Sequence, residues 1–257
     1  MPFSPFDFVV LIFLSFFPAV IDSSFGMGYG FIVTPLLLIL GYNPLQIIPT
    51  ILVSSLVGNL LSAIFHHKLK NVDFSLQSCD FRIALVIGGC GSIGSLFGAL
   101  LAVKIPTFYL SLYIGVMVIV IGVFILYSMR EKINFTFSWL RMATLGLIGA
   151  FNKGISGSGF GPIVTTGGLL VGLNEKATVS IQSLSELFAS SIGIATFILS
   201  GVQLDTYFTV AVATGVALAS PIAAVIVKRS AGAKLRVMIA LIAILLGSFT
   251  IIHGFLK

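Results

Sequence analysis

A chain of 257 residues that is 58% hydrophobic and only 9% charged departs far from the roughly 25% charged composition of soluble domains, which excludes a soluble globular protein and points to a polytopic membrane protein. In a soluble chain the net charge of +6 would suggest acidic partners. Here the side of the membrane on which the basic residues lie matters more, and no nucleic-acid partner is expected. Cys79 and Cys90 show no CxxC or Cys/His ligand spacing, so the sequence indicates neither a disulfide framework nor a metal site, no cofactor is expected, and both read as packing residues.

In chain order, apolar stretches run over 6–21, 31–40, 44–65, 81–103 and 108–127, and after a polar linker at 128–134 over 139–151, 160–171, 177–200, 207–227 and 235–255. The first has no basic region before it and no small-residue cleavage site, so it reads as a retained segment and not a signal peptide. The run of phenylalanines from Phe3 to Phe17 reads as lipid-facing or bundle-packing surface. At a rise of about 1.5 Å per residue, the third, fourth and fifth segments of each set are long enough for a hydrocarbon core of about 30 Å. The first two of each set read as short. They flank glycine runs, which suits either half-length helices meeting as a re-entrant hairpin or two short full spans.

Shifting the sequence by 131 positions lays Gly26, Gly28 and Gly30 on Gly157, Gly159 and Gly161, and Ile32, Val33 and Thr34 on Ile163, Val164 and Thr165. From 19 to 56 the register gives 12 identities in 38 positions, which argues for an internal repeat of half the chain. Each copy crosses the membrane an odd number of times, so the copies are inverted. The basic residues agree: with the N-terminus outside, eleven (Lys68, Lys70, Arg82, Arg130, Lys132, Arg141, Lys176, Lys228, Arg229, Lys234, Arg236) fall inside and only Lys104 and Lys257 outside. The fold class expected is therefore an all-α polytopic membrane protein of two inverted five-segment repeats, 1–130 and 131–257, with interrupted or re-entrant half-helices at the glycine breaks and both termini outside.

Interrupted helices in inverted repeats build ligand sites from half-helix N-termini, whose positive dipole ends face an anion. The free N–H groups around Gly28, Tyr29 and Gly30, and around Gly159, Phe160 and Gly161, are placed for that, although glycines also serve close helix packing. Asn152 and Lys153 are the strongest candidates for contacting an anion, since an ammonium supplies three donors. Asp22 falls opposite Lys153 in the repeat, which predicts a charge pair between them. Gln182 and Ser183 share a helical face with Glu186, a candidate proton carrier or a partner for a helix break. His66 and His67 read as a solvated helix end before Lys68 and Lys70, and Asp7, Asp73, Asp80 and Asp205 as interfacial caps.

The glycine run, the apolar half-helix ending in glycine, and a Thr near the start of the next helix (Gly28-Tyr29-Gly30-Phe31-Ile32-Val33-Thr34-Pro35 to Gly41, then Thr50) resemble the TauE/SafE sulfite exporter family. The second copy, GFGPIVTTGGLLVG, resembles it too. What the resemblance implies is a permease for small sulfur-containing or organic anions such as sulfite or sulfonates, with Thr34 and Thr50 joining the binding residues. Tyr29 and Phe160 stand between glycines where the family is richer in glycine, so their rings are expected to narrow the site. The alternatives are an anion channel and an intramembrane enzyme. The enzyme is disfavoured because no HExxH or comparable pair occurs.

Overall fold

A computed structural model describes residues 5–130, 135–227 and 233–256. Phe3, Lys132, Asn134, Lys228, Arg229 and Lys257, each part of an expectation above, lie outside them. Among the described residues there are ten helices and no strand: α1 Pro5–Phe25, α2 Gly30–Ile39, α3 Pro44–Lys68, α4 Cys79–Lys104, α5 Thr107–Arg130, α6 Trp139–Ser156, α7 Phe160–Leu170, α8 Glu175–Leu199, α9 Thr206–Val227 and α10 Ala233–Leu256. Seven are long and apolar enough to cross a membrane: α1, α3, α4, α5, α8, α9 and α10.

Their starts follow from capping chemistry. The side chains of Asn43 and Asn174 accept from the N–H groups of Leu45 and Lys176 at 2.9 and 3.0 Å. Ser78 caps α4 through Phe81 N–H at 3.1 Å, and Asp205 caps α9 through Phe208 N–H at 3.0 Å. One expectation about length is corrected. The first segment continues past Ile21 over Asp22 to Phe25, giving α1 21 residues, and α6 continues past Phe151 to Ser156. Ionisable side chains do not end a helix whose neighbours satisfy them, so only α2 and α7, with 10 and 11 residues, remain at half length.

Glycines 131 positions apart share backbone geometry. Gly26 and Gly157 have φ of 66° and 72°, Gly28 and Gly159 have 72° and 91°, and Gly41 and Gly172 have 92° and 85°. The Gly26 N–H donates to Asp22 O at 2.6 Å and the Gly157 N–H to Lys153 O at 2.7 Å, the same bond one register apart. After α3, Lys70 N–H donates to His67 O and Asn71 N–H to His66 O; after α8, Gly201 and Val202 donate to Ile198 O and Phe197 O. Both helices thus end in a Schellman motif. Its left-handed position holds Gly201 at φ 79° in one copy but Lys70 at φ 59° in the other, the single positive-φ side chain among the described residues. That conformation costs an L-residue about 1–2 kcal/mol.

Packing between halves exchanges in the same way: α4 packs on α6 and α8, α9 packs on α1 and α3, while α3 with α8 and α5 with α10 are self-paired. Small residues permit the closest approaches. A Cβ on Gly98 would stand 2.9 Å from Ile155 N, and one on Gly154 3.0 Å from Ala99 N, so α4 and α6 touch backbone to backbone. Of the amino-terminal phenylalanines, Phe6, Phe13 and Phe17 are exposed while Phe8 and Phe16 pack on the core. Cys79 is exposed at the α4 start, so it does not serve as a packing residue.

Candidate functional site

The two glycine breaks meet each other. A Cβ on Gly161 would lie 2.6 Å from Gly28 N, one on Gly28 3.0 Å from Pro162 Cδ, and one on Gly30 would run into Gly157 O. Two chain segments cross here at a distance that no side chain tolerates. The junction lies against Ile48 and Ile51 of α3, and near it is gathered a buried polar cluster: Asp22, Tyr29, Ser55, Lys153, Gln182 and Glu186, each no more than 5% exposed.

Asp22 and Lys153 were expected to pair, and the structure corrects this. Lys153 Nζ lies 2.5 Å from Glu186 Oε1 and donates to Ser55 Oγ at 2.9 Å. The Asp22 carboxylate accepts instead from the N–H of Gly28 at 2.5 Å and from that of Tyr29. The reason is the chemistry of a helix start. A carboxylate is an acceptor suited to the exposed N–H groups and positive dipole end of α2, whereas an ammonium has donors only and cannot cap α7. Lys153 therefore extends its stem across to α3 and α8. Ser55 and Glu186 occupy the same position in the two repeats, so Lys153 bridges a pair of equivalent sites on the self-paired helices. Asp22 remains within electrostatic reach of both Lys153 and Glu186.

The Tyr29 hydroxyl donates to Ile51 O at 2.9 Å and makes a short contact with Ser54 Oγ, so its ring lies against α3 and its polar end joins the cluster. Gln182 Nε2 donates to Glu186 Oε2, while the Gln182 carbonyl oxygen, although buried, has no partner. Ser183 is buried and bonds back to Val179 O at 3.1 Å.

Several expected residues stand elsewhere. Asn152 leaves the cluster: its amide accepts from Tyr113 OH at 2.7 Å and donates to Ile148 O at 2.8 Å, facing α5. Successive helical residues point about 100° apart, so Asn152 and Lys153 cannot serve one site from the same helix. Thr50 faces α9, with its hydroxyl 3.0 Å from that of Thr209. The Phe160 ring packs into the apolar core beside Gly149 and Gly91 and does not narrow the cluster. Thr34 is wholly buried with an unpartnered hydroxyl. So is its repeat mate Thr165, which the sequence had not singled out and which lies against Gly26. The register that aligned the glycines also aligned these two threonines, and that was the available signal.

The His66 expectation is overturned as well. It is fully buried, with Nε2 3.1 Å from Ser23 O and Nδ1 3.0 Å from Asn71 Nδ2, and Asn71 Nδ2 reaches Ala224 O at 3.1 Å. Because Asn71 Nδ2 can only donate, His66 Nδ1 accepts and Nε2 carries the proton. His67, by contrast, is exposed and stacks on Phe74 at 6.2 Å.

The sequence model of the sulfite exporter TauE/SafE family matches residues 11–250. The probable membrane transporter protein YtnM of Bacillus subtilis is 27% identical over 256 residues, covering 95% of this chain and 83% of its own. The probable membrane transporter protein YdhB of the same organism is 29% identical over 184 residues, covering 67% and 71%. No solved structure matches the chain.

Proposed function

Because the chain belongs to the TauE/SafE sulfite exporter family of membrane transporters, we propose that it carries small sulfur-containing or organic anions, of the sulfite or sulfonate type, across the cell membrane by alternating access. The observation that carries this reading is the Lys153–Glu186 pair, 2.5 Å long and 3% exposed at each side chain, placed beside the junction of the two glycine breaks. A buried ion pair is seldom retained for stability alone, since well-packed apolar residues do as well. An ammonium with three donors exchanges one oxyanion for another without losing its charge balance. In the first repeat the helix start is already occupied by Asp22. The α7 start has Gly159 at its capping position, without a side-chain cap, and is read as the one that meets a substrate.

Proton coupling follows from a charge count. Asp22 is committed as a carboxylate to the start of α2, so Lys153 and Glu186 balance each other, and an anion that displaces Glu186 from Lys153 leaves a buried carboxyl group that takes up a proton. The two halves are read as inverted, related by an axis in the membrane plane between α3 and α8, with both termini outside. Rocking one half against the other would then open the cluster to each side in turn.

Transport by the purified protein in liposomes tests the reading. Sulfite uptake should saturate, accelerate with sulfite on the opposite side, and respond to a pH gradient. Glu186→Gln should retain exchange and lose the response to pH. Flux that neither saturates nor shows counterflow would replace the carrier by a channel.

A further inference from the structure

At the junction of α3 and α4 lies a cavity of about 660 Å³ lined by His67, Lys68, Lys70, Asn71, Val72 and Asp73. Its charge is unbalanced in a particular way. Asp73 accepts from the Ser75 N–H at 2.9 Å and from its hydroxyl at 3.0 Å, so its carboxylate is committed to its own loop. Lys68 and Lys70 are exposed and enter no ion pair among the described residues.

Lys70 is there against backbone preference. It occupies the left-handed position of the α3 Schellman motif, where the second repeat has Gly201, and a side chain kept at such a position points to a role for it. The floor of the cavity is Asn71, 9% exposed and bonded to His66, which in turn reaches Ser23 O on α1. Ser23 is the neighbour of Asp22, whose carboxylate caps α2 at the glycine junction. Two hydrogen bonds thus lead from this cavity to the main chain of α1, one residue from the buried cluster. The second repeat lacks the latch: the position of His66 is held by Phe197 and that of Asn71 by Val202.

We propose that this cavity is the encounter site for small oxyanions at one mouth of the transport path, with Lys68 and Lys70 as its cations and the Asn71–His66 pair as its inner gate. The proposal rests on the anion-carrier reading above and deepens it. At the matching positions of the second half the two cations are missing, since Leu199 and Gly201 stand where Lys68 and Lys70 do.

Two measurements test it, one independent of transport. In a variant with Cys79 and Cys90 replaced by Ser, Val72→Cys should react with an anionic sulfonate methanethiosulfonate faster than with its cationic trimethylammonium counterpart, by on the order of tenfold at low salt. Adding Lys70→Gly and Lys68→Gln should bring the two rates together. Equal rates before that addition, or no labelling by either reagent, would overturn the encounter site. In liposomes, Lys70→Gly alone should raise the melting temperature by relieving the backbone while raising the KM for sulfite and flattening its salt dependence. A Lys70→Gly variant with unchanged KM and unchanged salt dependence would also overturn it. A wild-type protein that carries no sulfite refutes the substrate reading only, and the labelling ratio still decides the cavity.

Discussion

Asp22 and Lys153 stand at the same position of the two repeats, and their main-chain carbonyls accept the same bond, from Gly26 at 2.6 Å and Gly157 at 2.7 Å, yet their side chains serve opposite purposes. One neutralises a helix start within its own repeat. The other crosses to the helix pair α3 and α8. The two main-chain corners are alike, and the charge difference at this position gives each a different task.

Removing one member of the Lys153–Glu186 pair leaves a buried charge without its partner, at a cost of about 3–5 kcal/mol. Lys153→Met alone and Glu186→Gln alone should therefore lower the melting temperature clearly, and the double variant should recover much of the loss. Anion binding should stay absent in the double variant, because the ammonium is gone. A double variant that binds sulfite normally removes Lys153 from the site.

The Asp22 carboxylate makes charge-assisted bonds to the N–H groups of Gly28 and Tyr29, and bonds of that kind contribute about 1.5–3 kcal/mol. Asp22→Ala should lose on that scale, whereas Asp22→Asn, which keeps an acceptor, should lose less. Neither change strands Lys153. Denaturation of the two variants checks the order, and equal losses would mean that the side chain acts by charge on the cluster and not as a cap.

Two glycine replacements separate crowding from backbone strain. Gly172 has φ 85° and open space around it, so Gly172→Ala should cost only the left-handed penalty of about 1–2 kcal/mol. Gly161 carries no such φ, but its added methyl would stand 2.6 Å from Gly28 N, which is backbone and cannot give way. Gly161→Ala should therefore separate the two breaks and abolish transport, even in protein that still folds. Activity and thermal unfolding of both variants decide this.

His66→Phe would place the second repeat's residue, Phe197, in the first. Asn71 and Ser23 O would lose their partner, and each buried polar group left unsatisfied costs about 1–3 kcal/mol. The expected result is a less stable protein. Retained stability would show that water replaces the imidazole.

The element order was legible because each apolar run is bounded by a strong signal: Asn43 and Asn174 as caps, and Gly41 and Gly172 as left-handed stops. The positive-φ positions were legible from the glycines that the 131-residue shift aligns. Partner choice was not. Hydropathy identified Asp22 and Lys153 as ionisable residues in apolar sequence but said nothing of the direction in which each side chain leaves its helix, and that direction is set by the packing of α6 on α4 and of α3 on α8. For the same reason Asn152 was grouped with its neighbour, and His66, next to exposed His67 and Lys68, was placed in water although it lies on the face of α3 turned toward α1 and α9.

The main helix contacts join elements of different halves: α4 with α6 and α8, α1 with α9, and α5 with α10. During synthesis the first five helices therefore emerge before the surfaces that will cover them exist. Ser95, Gly94 and Gly98 on α4 must wait for α6, and Ser15 on α1 for the Gly215 region of α9. The early half is an incomplete solute in the bilayer, held by the insertion machinery or by loose lipid contact until the late half arrives. Assembly by this packing is a late closure and not the docking of two finished units, and a fragment that ends near residue 130 should show no cooperative unfolding of its own.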